Sequence, residues 1–216
     1  MQVSVVHPRV RALHTSPGAP ALDVYIDDSL RFPNVGFAQL TEYVSLWPER
    51  HRLRILRAGS HWPEDTLLDE RIESLRSGLD YTLAIVGEAQ DMHTLLVEDS
   101  SPLPVEGRER VPVATRAKVR FLHASPDAPA VDVGVTGNPA LFLQVAFAQV
   151  TPFRELESGT YDVQVRRAGH DATVATLPQY TFAGGNRYTL IALGLVDGQP
   201  AFRIMPAVDA FELCPT

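Results

Sequence analysis

VRALHTSPGAPALDVYI (10–26) and VRFLHASPDAPAVDVGV (119–135) agree at 11 of 17 positions across an offset of 109 residues. Likeness of that density within one chain marks an internal duplication. A second block, VGFAQLTEYVSL (35–46), lies over VAFAQVTPFREL (145–156) at an offset of 110. Arg57-Ala58-Gly59 then matches Arg167-Ala168-Gly169, and Tyr81-Thr82-Leu83 through Gly87 matches Tyr188-Thr189-Leu190 through Gly194. The blocks keep their order, so two copies of one domain are expected, residues 1–108 and 109–216. Residues 98–118 mix Pro, charge and small side chains without periodicity, as a linker or a last strand running into one does. Each copy is about the size of an immunoglobulin-like sandwich, roughly 100 residues.

Alternation of period two identifies the strands. In the second copy Tyr161, Val163 and Val165 share one face, while Thr160, Asp162, Gln164 and Arg166 share the other. In the first copy His51, Leu53 and Ile55 take the inward places, and Arg50, Arg52 and Arg54 form an outward, solvated row. The apolar runs from Tyr81 and from Tyr188 suit central strands covered on both faces. Leu68, Ile72 and Leu75 have helical spacing within 67–78, but the matching stretch, VATLPQYTFAGG (174–185), contains Pro178 and β-formers. Copies share a fold, so a strand is expected in both. The fold class is all-β: two tandem immunoglobulin-like antiparallel β-sandwiches.

Composition narrows the function. A 45% hydrophobic chain with 17 Pro and 14 Gly folds and turns often. With 19 basic and 26 acidic residues the net charge is -7, which argues against nucleic acid and anionic membranes as partners. No apolar run approaches a membrane span, so no membrane insertion is expected. His7, Pro8 and Arg9 break the first apolar stretch, so no secretory signal is expected in this chain. Cys214 is the single cysteine; it can form no internal disulfide and belongs to no CxxC metal pattern.

The HxSPxAPxxDV block, the VxFAQ-T block, the Ala-Gly turn and the YTL run to glycine together resemble the DUF4397 family, a bacterial and archaeal domain of unknown function. The likeness spans roughly 9–98 and 118–205. The first copy departs from the SPDAP string with Gly18 where the second has Asp127. The resemblance implies β-sandwich modules, often duplicated and commonly on exported or surface proteins, and hence a cell-envelope or extracellular setting.

The candidate site is the repeated motif: His14, Ser16, Pro17, Pro20 and Asp23, with His123, Ser125, Pro126, Pro129 and Asp132. A His and a carboxylate are metal ligands, and a Ser beside a His suggests nucleophilic chemistry. An architectural role accounts for more. The prolines fix φ and shape a tight crossing between strands, the serines cap nearby backbone groups, and the aspartates accept loop N–H bonds. Catalytic sites gather unlike residues from several loops, whereas these occur twice in equivalent places.

No catalytic residue, metal ligand or cofactor is therefore assigned. His61 and His170, after the Ala-Gly turns, read as exposed loop residues. Trp47 and Trp62 read as edge packing, with a sugar-stacking platform as the alternative. The expected role is non-catalytic, in structure, assembly or binding at a cell or spore surface, with a protein partner or self-association through repeated edges. A carbohydrate- or small-ligand-binding module using loops of the first copy is the second reading. A metal-dependent protein using His14 and His123 is the third.

Overall fold

A computed structural model describes residues 6–60, 65–99 and 115–211. The chain divides into two compact units, Met1–Pro104 and Val105–Thr216. The 108/109 boundary read from the sequence lies outside the described residues, as do His61, Trp62 and Cys214. The described residues contain no helix, and the fold is all-β.

The first copy comprises β1 (Arg9–His14), β2 (Leu22–Ile26), β3 (Ser29–Val35), β4 (Val44–Ser45), β5 (His51–Arg57), β6 (Thr66–Ile72), β7 (Asp80–Val86) and β8 (His93–Glu98). Its two sheets are ordered β4-β1-β7-β8 and β3-β2-β5-β6. The second copy comprises β9 (Arg116–His123), β10 (Val131–Val135), β11 (Asn138–Val145), β12 (Arg154–Glu157), β13 (Gly159–Arg167), β14 (Thr173–Phe182), β15 (Asn186–Leu193) and β16 (Arg203–Phe211). Its sheets run β12-β9-β15-β16 and β11-β10-β13-β14, the same order.

The sheets are not wholly antiparallel. β1 runs parallel to β7, and β9 to β15, while the other strand neighbours are antiparallel. Each unit thus has one mixed and one antiparallel sheet. The chain crosses to the other sheet between the paired strands, which gives a parallel pair the long connection that a hairpin lacks. β7 and β15, at the centre of the mixed sheets, are the long apolar runs, and β7 is buried along its whole length.

Alternation places the cores. Val10, Ala12, Leu83 and Ile85 face Val24, Ile26, Leu53 and Ile55 within the first unit, all with no exposed surface. Val119, Phe121, Val133, Val163, Val165 and Leu190 do the same in the second. Full burial of such side chains stabilises by roughly 1.5–3 kcal/mol each.

The helical spacing in 67–78 is overridden by pairing. β6 forms an antiparallel ladder with β5, Arg52 opposite Arg71 and Arg54 opposite Asp69. Its burial alternates up to Ile72, and Leu75 enters the core from the following loop. Helix propensity, a few tenths of a kcal/mol per residue, yields to this context.

The outward arginine row also differs from expectation. Arg50 pairs with Glu73 at 3.2 Å and Arg52 with Asp69 at 2.6 Å. Arg54 is buried and bonded to Asp28 in the β2–β3 turn. Acidic residues of neighbouring strands and turns meet the row, so it is not an open cationic face. Several outer strands are blunted by proline: Pro33 in β3, Pro178 in β14 and Pro206 in β16.

Candidate functional site

The repeated motif closes one end of each sandwich. His14 ends β1 with no exposed surface. Its Nε2 donates to Pro20 O at 3.1 Å, and its Nδ1 accepts from Ser16 N at 3.2 Å. His123 repeats both bonds, to Pro129 O at 3.1 Å and from Ser125 N at 3.4 Å. Phe37 and Phe147 set their rings edgewise against the two imidazoles. Burial pushes both histidines below the ordinary imidazole range, against the opposing effect of the proline carbonyls. A neutral ring with both nitrogens engaged has no lone pair left for a metal.

The VxFAQ-T block runs beside this histidine. His14 N donates to Gln39 O, and Ala38 N donates to His14 O, with Ala38 at φ 61°. Thr41 Oγ1 accepts from Ala12 N at 2.9 Å. Ala148, Gln149 and Thr151 repeat these bonds around His123 and Phe121.

Each motif aspartate ties three segments together. Asp23 accepts from Asn34 N at 2.7 Å, where the β3 backbone is left-handed at φ 52°, and from Gly59 N at 2.9 Å in the Ala-Gly turn. Asp132 does so with Gln144 N at 2.8 Å and Gly169 N at 3.0 Å. The serines differ from the sequence reading. Ser125 Oγ reaches Gly194 O at 2.7 Å, at the end of β15 rather than nearby in its own loop, and lies 3.2 Å from Asp127 Oδ1. Asp127 also accepts from Val196 N and Asp197 N, both at 3.0 Å. In the first copy Gly18 replaces that aspartate, and the buried Ser16 Oγ has no partner among the described residues. Among the described residues of the two motifs, neither serine stands beside a histidine nitrogen that is open.

A second repeated cluster was missed by sequence reasoning. Arg11 Nε donates to Thr82 Oγ1 at 2.8 Å, and Thr82 Oγ1 donates to Asp99 Oδ2 at 2.6 Å. Arg120, Thr189 and Asp209 repeat the chain at 2.7 and 2.6 Å. The guanidinium groups stack on Tyr43 and on Phe153 respectively. These buried ion pairs bind the parallel strands to the last strand or its end, and their sequence signals were the arginine and the threonine that the matched stretches share, Arg11 with Arg120 and Thr82 with Thr189.

What is not repeated lies elsewhere. The first copy has a cleft of about 260 Å³ lined by His7, Asp27, Arg31, Ser45, Leu46, Trp47 and His51. Trp47 is 61% exposed, with the His7 ring edgewise at 4.5 Å. His7 Nδ1 bonds Leu46 O at 3.2 Å. His51 is buried, with Nε2 donating to Trp47 O at 2.8 Å and Nδ1 against Asp27 Oδ2 at 2.5 Å. Asp27 Oδ1 accepts from Arg52 N at 3.0 Å. Burial opposes ionisation of Asp27, but these bonds outweigh it and hold the carboxyl below the usual range.

Asp27 and Asp28 sit at φ 50° and 65° in the hairpin turn, where the second copy has Thr136-Gly137 with the glycine at φ 83°. Two-residue hairpin loops commonly take positive φ at both positions, and Asp tolerates that conformation.

At the equivalent places of the second copy, Arg116 replaces His7, Thr136 replaces Asp27, and Leu141 precedes Phe142 as Arg31 precedes Phe32. Glu155, Glu157 and Tyr161 replace Ser45, Trp47 and His51. Arg116 pairs there with both glutamates, at 3.0 and 3.9 Å. Only Leu46, as Leu156, is retained. His170 is exposed in its turn. Among the described residues, no three His, Cys, Asp or Glu side chains gather as a metal site.

The chain has no match among curated proteins. Among solved structures, a leucine-rich repeat protein from Bacteroides thetaiotaomicron VPI-5482 is similar at 11% identity and a TM-score of 0.22, over 92% of this chain and 27% of that one. So low a score carries no argument, and the chain spans about a quarter of that protein. The model of a domain of unknown function, DUF4397, matches residues 8–115 and again 117–212. Each match covers one copy, and the chain belongs to the DUF4397 family as two tandem domains.

Proposed function

We propose that the chain is a non-catalytic binding module, in which the duplicated sandwich is scaffold and the first copy presents the ligand site. One observation carries this reading: the repeated motif histidines and aspartates bond within the fold, whereas every residue of the cleft around Trp47 except Leu46 is one the second copy lacks. Both His–Pro carbonyl bonds and all four Asp–backbone bonds serve the scaffold. A role at a cell surface agrees with the setting implied by the family resemblance.

The test is affinity electrophoresis of the full chain in gels cast with soluble neutral or acidic polysaccharides. Retardation by at least one polymer is expected, with Trp47→Ala restoring free mobility at unchanged melting temperature, since the indole is largely exposed. Equal mobility in every gel would refute the reading. So would release of new reducing ends from the retarding polymer, because that would make the protein an enzyme.

A further inference from the structure

The chemistry of the cleft selects within the ligands that a binding module of this kind accepts. Its volume of about 260 Å³ is below the usual range for a drug-sized ligand and suits a single ring. The exposed Trp47 offers an aromatic surface, with its backbone carbonyl bonded to His51 and the His7 ring packed against the indole. Such a surface receives the C–H side of a pyranose.

The polar lining offers both donors and acceptors. Arg31 is exposed at the cleft, makes no ion pair or hydrogen bond among the described residues, and acts on Asp27 through its charge. With Nδ1–H given to Leu46 O, His7 presents Nε2 as an acceptor, Trp47 presents its indole N–H as a donor, and Ser45 presents a hydroxyl that both donates and accepts. The one carboxylate, Asp27, is engaged by His51 and by Arg52 N. The cleft therefore sets an exposed, fork-shaped cation beside groups that donate and accept, which suits a carboxylate on the cation and hydroxyl groups on the rest. The second copy has Leu141 and Glu157 where this cation and this indole stand, so it lacks both elements.

We propose that this cleft binds one uronic acid residue, its ring on Trp47 and its carboxylate on Arg31. This rests on the binding-module reading above and names its ligand. The ligand source is an acidic polysaccharide chain or the free sugar acid, which share this chemistry.

The test is titration calorimetry of the full chain at 150 mM salt. The probes are galacturonate and glucuronate oligomers, free galacturonic and glucuronic acids, and neutral galactose and glucose oligomers. At least one uronate probe is expected to bind tenfold or more tighter than its neutral counterpart. Arg31→Ala is expected to abolish that preference, and Trp47→Ala to abolish binding, both with native melting profiles. Oligomers binding more tightly than the free acid identify the polymer as the source, and equal affinities identify the free acid.

Equal binding of neutral and acidic probes, or a preference that survives Arg31→Ala, overturns the uronate assignment while leaving a binding module. Absence of binding by every probe also overturns it. The binding-module reading then stands or falls on the gel experiment with other polymers.

Discussion

The two motif serines occupy equivalent positions but differ in partners, and replacing each by alanine should have opposite consequences. Ser125 Oγ donates to the buried Gly194 O at 2.7 Å; Ser125→Ala removes that bond and leaves a carbonyl without it. Such a loss costs about 1–3 kcal/mol, which for a unit of this size lowers the melting temperature by roughly 4–12 °C. Ser16 Oγ is buried without a partner among the described residues, so Ser16→Ala removes a desolvated hydroxyl and should leave stability unchanged or raise it by up to about 1 kcal/mol. Both tryptophans, Trp47 and Trp62, belong to the first copy, so their fluorescence follows that unit while calorimetry follows both. Ser16→Ala is read from the fluorescence midpoint and Ser125→Ala from the calorimetric profile. A loss above about 1 kcal/mol for Ser16→Ala would refute the reasoning, because the hydroxyl would then be making a stabilising bond.

Acid should weaken both units before the carboxylates titrate. The folded histidine pKa is lowered at His14 and at His123, so below the unfolded value of about 6.5 the unfolded chain binds more protons. This contribution is full above about pH 6.5 and is lost as pH falls toward the folded value, with a limiting slope of about 1.4 kcal/mol per pH unit for each histidine. Urea midpoints at pH 7.5 and 5.5 measure it, and His14→Gln should flatten the tryptophan-detected slope; an unchanged slope would count against the assignment. Asp23→Ala removes two backbone bonds from a nearly buried carboxylate, and should destabilise by about 3–5 kcal/mol. Asp132→Ala, at a more exposed site, should cost less in the same urea titration, and the reverse order would be contrary to the burial argument. Asp209→Ala removes a carboxylate from the buried Arg120 and should cost about 3–5 kcal/mol, whereas Arg120→Met with Asp209→Leu should recover most of it. Calorimetry of the single and double variants decides whether the recovery occurs.

Residues close in the chain made much of the fold legible. Period-two alternation in β5 and β13, and the repetition of HxSPxAPxxD, are local patterns, and they sufficed for tandem all-β sandwiches and for the aspartates as acceptors of loop N–H bonds, but not for the partners of the serines. The alternation misassigned Arg54 because it records which face a side chain takes and not what else reaches that face; Asp28, 26 residues away, does. The orphaned Ser16 was equally hidden, since its outcome depends on a carbonyl at the far end of the unit.

Sequence by itself determined the duplication, the strands and their inward faces, because these follow from side-chain order along one extended backbone. Only tertiary structure decided that β1 lies parallel to β7, that Arg11 meets Thr82 and Asp99 in the interior, and that His7, Asp27, Arg31, Trp47 and His51 line one cleft. These residues come from separate segments, and their juxtaposition depends on strand order and register. The differences between the copies were nevertheless present in the sequence: Trp47 against Glu157 and His51 against Tyr161. They acquired a common meaning only when the fold brought them together, since divergence at scattered positions has no spatial content until sheet packing supplies it.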